Sequence, residues 1–312
     1  MYRPVRKKSN KKEKKRLDKG CMPIYIRQQK INNEGGFFMN EQQRQECHEL
    51  ARKVRIHCLK MVHKGKSGHI GSMLSMADIL PVLYTRILNV DPKEPKKADR
   101  DRFILSKGHG GAALLATLAE LGYFPLEWLN EYYCDNGKLS GHISHHIPGV
   151  EFSTGSLGHG LPVACGMAMA AKQSGKKHRI FCMSSDGDLN EGSSWEAIVL
   201  AGQHHWDNLV MLVDYNRLQA LGKSRDIIDL ESLKEKLEIF GWAVREADGH
   251  DQAAVYESLR DLPLRDSQPS AVIYHTVKGK GVSFMENEYK WHYGGLTDEL
   301  LAQALKEVEE VK

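Results

Sequence analysis

Apolar side chains recur along the chain with two different periods. Across residues 41–63, Leu50, Val54, Cys58, Met61 and Val62 fall at helical spacing and predict a long helix with one buried stripe. Short apolar runs at 102–106, 179–184, 208–213, 242–246 and 271–277 have the length of buried strands. Helical patterns separate them: a segment opening at Ser75, the alanine- and leucine-rich stretch after Gly111, residues 125–133, 164–171, the segment before 208, and residues 230–240, 251–259 and 298–311. Ser75 followed by Asp78 resembles a capping box with Asp in place of Glu. Strands alternating with helices predict an α/β fold, a parallel sheet covered by helices on both faces. No internal repeat or Pro/Ser-rich linker interrupts the pattern, so a single domain is expected.

The 312 residues are 41% hydrophobic and 27% charged, as in a soluble globular protein. No apolar run approaches the roughly 18–20 residues that cross a bilayer, which excludes a membrane-spanning class. Cys21, Cys47, Cys58, Cys134, Cys165 and Cys182 show no C-x-x-C spacing, and several sit in apolar runs. Reduced, mostly buried thiols in a cytoplasmic protein are expected.

The net charge of +4 hides an asymmetry. Residues 1–38 carry twelve Lys/Arg against three Asp/Glu, while the remainder holds 32 basic and 37 acidic residues. The basic tail has little hydrophobic periodicity and is expected to be disordered. A nucleic-acid or anionic-surface arm is one reading of it, and a transit peptide fits less well because Lys dominates over Ser and Arg. A third reading places the natural start at Met39: Glu34, Gly35 and Gly36 can be encoded as a GGAGG-containing tract ahead of a T-rich spacer and the ATG of Met39. For the mildly acidic body, residues 39–312, neither a nucleic-acid nor a membrane partner is expected.

Candidate chemistry collects at predicted strand ends. Asp186-Gly187-Asp188 follows one apolar run, and Asp214-Tyr215-Asn216 closes the next. A carboxylate and a carboxamide at neighbouring strand ends suit a magnesium-like cation that keeps diphosphate oxygens in its shell. Ordinary polar turns are the competing reading. Glycine-bearing turns at 106–111, 185–187 and 278–281 also follow strands, where backbone N–H groups suit phosphate. His69, His109, Lys278 and His292 stand beside glycines and could neutralise the same anion. His142, His145 and His146 lack the spacing of zinc sites. The turn after residue 106 does not match G-x-G-x-x-G, so a Rossmann nucleotide site is disfavoured.

Taken in order, SGHIGS (67–72), RFILSKGHG (102–110), SGH (140–142), GVEFSTGSLGHGLPVACGMAMA (149–170), DGDLNEGSSWEA (186–197), DNLVMLVDYNRLQALG (207–222), VKGKG (277–281) and WHYGG (291–295) resemble the amino-terminal half of transketolases. The resemblance covers residues 39–312 and implies the thiamine-diphosphate-binding fold of those enzymes. It implies that Asp186 and Asn216, with the Leu218 carbonyl, ligate Mg2+ or another divalent cation such as Ca2+ or Mn2+. Ser72, His109, Gly187, Lys278 and His292 would hold thiamine diphosphate, and Gly155, Ser156 and Leu157 would touch its aminopyrimidine through the backbone. His69, His142 and His292 would serve the sugar substrate, and Glu191 would join an acidic network between two active sites. The family's Gly-Asp-Gly reads Ser185-Asp186-Gly187 here, for which a small local adjustment is expected.

A full transketolase continues into pyrimidine-binding and carboxy-terminal domains that do not fit after Lys312. The resemblance therefore implies one subunit of a split transketolase, an α2β2 assembly with a separately encoded C-terminal subunit. The implied reaction moves a two-carbon ketol unit from a ketose phosphate to an aldose phosphate in the pentose phosphate pathway. A split enzyme for a branched or sulfonated sugar phosphate is the near alternative, and a non-catalytic scaffold with the same fold is the alternative of another class. A 1-deoxyxylulose-phosphate synthase fits the histidine set less well.

Overall fold

The structure, a computed structural model, describes residues 38–310. The basic tail and Cys21 lie outside those residues. Among them, α1 (Glu41–Gly65), α2 (Ile70–Ser75), α3 (Ile79–Val82), β1 (Arg102–Leu105), α4 (Gly111–Glu120) and α5 (Gly160–Gln173) come first in order. They are followed by β2 (Ile180–Ser185), α6 (Gly192–Gln203), β3 (Leu209–Tyr215), α7 (Ser224–Ile227) and α8 (Leu233–Ile239). β4 (Ala243–Asp248), α9 (Gln252–Leu259), β5 (Ser270–His275) and α10 (Asp298–Glu310) complete the described chain.

The five strands are parallel and ordered β1-β2-β3-β5-β4. Side chains alternate across the sheet as the two-residue period requires. Phe181, Met183, Val210, Leu212, Val272 and Tyr274 face a core shared with α1–α4, α9 and α10. Ile180, Cys182, Leu209, Met211, Val213, Ala271 and Ile273 face a second core with α5, α6 and α8. Both faces are therefore buried, and all strand ends that matter to function point the same way.

The stripe predicted for α1 is buried: Leu50, Val54, Cys58, Met61 and Val62 all pack inward. Asn40 caps the helix through a reciprocal pair with Gln43, satisfying N–H groups that the first turn leaves free. Each fully buried Val or Leu on that face contributes about 1.5–3 kcal/mol. The cysteines at 47, 58, 134, 165 and 182 are unpaired.

The helix expected to open at Ser75 is corrected. α2 ends there, and α3 begins only at Ile79 with no side-chain cap from Asp78. The reason is competition for the two side chains. Ser75 Oγ donates to Asp214 at 2.5 Å, and the Asp78 carboxylate takes Arg55 and His250. Residues 126–131 form a 3-10 turn where a short helix was expected. α5 starts at Gly160, ahead of the expected residue 164. β5 stops at His275, two residues before the predicted end, which frees Thr276, Val277 and Lys278 to form a turn. Conversely β3 runs on through Asp214 and Tyr215, so Asp214 is a buried strand residue.

Candidate active site

The carboxyl ends of β1, β2, β3 and β5 release Ser106, Asp186, Asn216 and Thr276 side by side. Asp186 is 2% exposed and Asn216 4%. Asp186 receives Ser224 Oγ at 2.5 Å and the Gly187 N–H at 3.0 Å. Burial nevertheless pushes its carboxyl up to about 6, beyond what those bonds and the Lys278 charge recover. Such a carboxylate is short of positive charge. Asn216 Oδ1 accepts from the Leu218 N–H at 3.1 Å, a local turn that fixes the carboxamide beside the Leu218 carbonyl. That carbonyl accepts from Lys278 Nζ at 3.0 Å.

Lys278 reaches this point across the start of α2. A Cβ on Gly71 would lie 2.9 Å from Lys278 Cγ, so only glycine lets the stem pass so close. The ammonium also contacts the Gln219 carbonyl at 3.4 Å and His292 Nδ1 at 3.2 Å. Burial draws its pKa down to about 8, against the pull of Asp186.

Three histidines, His69, His109 and His292, close the other side. His69 sits 5.2 Å from His109, 4.8 Å from His292 and 5.9 Å from His142 between ring centroids, and His109 and His292 are 5.3 Å apart. The His69 N–H donates to the His292 carbonyl at 2.6 Å, with His69 in the left-handed region at φ 72°. That residue is not glycine, so the strain is held by the surrounding contacts. Ser72 Oγ lies 3.2 Å from His109 Nε2. Burial lowers His69 to about 4, with His142 and Lys278 adding to it. Burial and the Lys278 charge lower His292 to about 3, and burial with Lys107 holds His109 well below its ordinary value. At neutral pH all three are uncharged imidazoles, able both to donate and to accept.

Behind them lies an ion pair that the sequence did not advertise. Lys107 and Asp214, both fully buried, are paired, and Lys107 Nζ donates to the Ser72 carbonyl at 2.8 Å. Thr276 and Ser75 also bond the Asp214 carboxylate. Burial opposes its ionisation, but the Lys107 charge and these donors hold it below the usual carboxylate range. Side chains from α2, from β3 and from the turns after β1 and β5 are thereby tied into one floor beneath Ser72 and His109.

The remaining sequence-predicted residues line a second rim. The His142 ring packs 3.1 Å from where a Gly155 Cβ would stand, with Ser156 exposed and Leu157 half-buried beside it. Glu191 is exposed at the start of α6, packed beside Gly158. Between the rims, Asp188 Oδ1 accepts from the Gly158 N–H at 2.7 Å. Ser185, in the place where glycine was expected, accepts the Asp188 N–H at 3.4 Å, so the exchange is absorbed inside the turn. Sequence reasoning missed Lys107, Asp188, Ser224 and Thr276. Ser224 stands 38 positions from Asp186, and no periodicity or motif joins them.

The His145 and His146 rings lie 4.1 Å apart, tilted by 42°, and His145 Nδ1 pairs with Ser153 Oγ at 2.8 Å. No helix among the described residues is long and apolar enough to cross a membrane.

The chain as a whole has a match among known proteins. A family model described as the transketolase thiamine diphosphate binding domain covers residues 47–308. The chain belongs to the transketolase family. This transketolase-family chain is 42% identical to one of the subunits of the apulose-4-phosphate transketolase from Actinobacillus succinogenes, over 84% of its own length and 96% of that protein. It is 38% identical to the 6-deoxy-6-sulfo-D-fructose transketolase subunit SqwG of a Clostridium species, over 87% and 98% of the two chains. The crystal structure of Campylobacter jejuni transketolase matches with a TM-score of 0.79 at 34% identity, over 87% of this chain and 43% of that one. The chain thus spans less than half of that transketolase but nearly all of the two subunits. It is of the type of the N-terminal, diphosphate-binding subunit of a split transketolase.

Proposed function

We infer that this chain is the cofactor-gripping subunit of a two-chain transketolase that moves a two-carbon ketol unit between sugars. The observation that carries the reading is the convergence of Asp186, Asn216, the Leu218 carbonyl and Lys278 with three neutral histidines at the strand ends of a transketolase-family domain. The residues fit a divalent cation and a diphosphate. The buried Asp186 carboxylate is only partly compensated by Lys278, and the Leu218 carbonyl already attracts a positive group. Mg2+, Ca2+ or Mn2+ would be held by Asp186, Asn216 and the Leu218 carbonyl, all hard oxygen donors. Ser72, His109, Gly187, Lys278 and His292 would bind the diphosphate and its neighbours. Gly155, Ser156 and Leu157 would meet the pyrimidine.

Thiamine diphosphate, when bound, supplies the electron sink that cleavage of a ketose carbon–carbon bond requires. The chain's own part is to orient substrate and move protons. His69, His142 and His292 ring the mouth, and two of them, His69 and His292, are uncharged at working pH. They suit holding sugar hydroxyls and passing their protons rather than binding phosphate as cations. Glu191, exposed beyond the Gly158 turn, suits contact with another chain.

The partner would be a C-terminal subunit carrying the pyrimidine-binding and carboxy-terminal domains, in an α2β2 assembly. Near-complete coverage of two relatives that are themselves named as transketolase subunits supports this. A specialised ketose is favoured as donor, since identities of 42% and 38% to the apulose-4-phosphate and sulfofructose subunits exceed the 34% to a transketolase of Pongo abelii. The test of cofactor binding is thermal unfolding of the co-purified pair with thiamine diphosphate and Mg2+, each alone and together. A rise in Tm only with both, reversed by EDTA, is expected. No shift at saturating concentrations refutes the reading.

A further inference from the structure

The turn that carries Lys278 is anchored from an unexpected place. Val277, the residue before the lysine, donates its N–H to His250 Nε2 at 2.8 Å. That nitrogen therefore carries no proton, and Nδ1 donates to Asp78 Oδ2, also at 2.8 Å. On the far side of the lysine, the Lys280 carbonyl accepts Arg55 Nε at 3.2 Å. The same guanidinium makes two bonds to Asp78, at 2.9 and 2.5 Å. Both ends of the turn thus lead to one carboxylate, 7% exposed, at the start of α3. Gly281, at φ 92°, leaves room for Arg55, since a Cβ there would stand 3.1 Å from Arg55 Nε.

We propose that His250 and Arg55, both bonded to Asp78, act as positioning residues that hold the Val277–Lys280 turn so that Lys278 meets the diphosphate. The inference rests on the diphosphate-binding reading of Lys278 given above. The side-chain bonds of His250 and Asp78 run to Val277, to Arg55 and to each other, so both act through the backbone on either side of the lysine. The arrangement also explains why Asp78 gives no cap to α3. Its two oxygens are already committed to the guanidinium and the imidazole, an oriented pair of charge-assisted bonds. Burial opposes ionisation of Asp78, but Arg55 and His250 outweigh it and hold the carboxyl well below the usual range. The anchor is therefore charged throughout the working pH range.

Two substitutions separate positioning from mere packing. His250→Gln keeps an acceptor near the Nε2 position, facing Val277, and loses the donor to Asp78. His250→Asn does the reverse. Arg55→Lys keeps a charge beside Asp78 but cannot also reach the Lys280 carbonyl, and serves as a third probe if either histidine variant fails to fold. The first readout is tryptic cleavage of the Lys278–Gly279 bond in the full-length, cofactor-free chain, where Lys278 is 1% exposed. The second is the dissociation constant for thiamine diphosphate at saturating Mg2+, measured by calorimetry on the chain together with its C-terminal partner.

His250→Asn is expected to speed the cleavage about fivefold and to weaken cofactor binding about tenfold, the cost of leaving one buried N–H unpaired. His250→Gln should restore both to within about twofold of the parent. Unchanged cleavage and binding in His250→Asn and Arg55→Lys overturn the proposal while leaving the diphosphate reading in place. Equal losses in the Asn and Gln variants, tracking a common fall in Tm, also overturn it. Absence of cofactor binding by the parent protein itself overturns the diphosphate reading and the proposal together.

Discussion

Lys278 Nζ stands 3.0 Å from the Leu218 carbonyl oxygen, the same oxygen that is proposed to ligate a divalent cation. Two positive groups cannot share that oxygen without strong repulsion in a buried site. Cation binding should therefore turn the lysine away from Leu218 and towards the diphosphate. Lys278→Met keeps the stem over Gly71 and removes the charge. It should raise affinity for Mg2+ alone by about three- to tenfold and lower affinity for thiamine diphosphate by about tenfold. Separate calorimetric titrations of metal and cofactor check both signs.

Asp186→Ala should leave the fold intact, because the side chain faces the pocket and its bonds are to Ser224 and the adjacent Gly187 N–H. Binding of thiamine diphosphate with Mg2+ should weaken by about a hundredfold or more, and cofactor-dependent activity should be lost. Circular dichroism of the variant checks the first statement and a binding titration the second. An unchanged titration removes Asp186 from the metal site.

The pH dependence of the cation-free chain follows from the same carboxyl. Its folded pKa of about 6 lies above the 3.8 of an unburied aspartate. Between those values the native chain keeps a proton that the unfolded chain releases, so this group lowers stability as pH rises from about 4 to 6. Mg2+ meets an ionised carboxylate only above that range. The rise in Tm on adding Mg2+ with thiamine diphosphate should be small at pH 5 and full by about pH 7.5. In Asp186→Asn this pH step should vanish. His69 and His292 have the opposite sign: their folded pKa values lie below 6.5, so their contribution is lost as pH falls below that value.

Lys107 and Asp214 supply a stability prediction independent of the cofactor. Lys107→Met strands a carboxylate that is wholly buried, at a cost of about 3–5 kcal/mol in urea unfolding. Adding Asp214→Asn should recover a large part of the loss, since neither charge then remains. A single variant as stable as the parent contradicts the pairing.

How much of this was legible beforehand differs by element. The α1 stripe, the alternating strands and the two-faced burial follow from periodicity, because burial on one face leaves a repeat in the chain. The strand-end residues Asp186 and Asn216 were legible as a motif, because neighbouring parallel strands bring residues thirty apart to one crevice. The start of α3 was misread at Ser75 because tertiary partners, Asp214 for Ser75 and Arg55 with His250 for Asp78, outcompeted the local cap. Ser224 and Thr276 left no signal, and the glycine-bearing turn that holds Lys107 gave no sign of its pairing with Asp214. Their roles come from three-dimensional neighbours that have no fixed separation along the chain.

The most direct test is ketol transfer by the chain purified together with its C-terminal partner. Donors should include apulose 4-phosphate, 6-deoxy-6-sulfofructose and an unbranched ketose phosphate, each with and without thiamine diphosphate and Mg2+. The expected result is transfer of a two-carbon unit that needs both chains, the cofactor and the metal, with a specialised ketose as the better donor. Activity of either chain alone, or no transfer from any donor by a fully loaded pair, would contradict it.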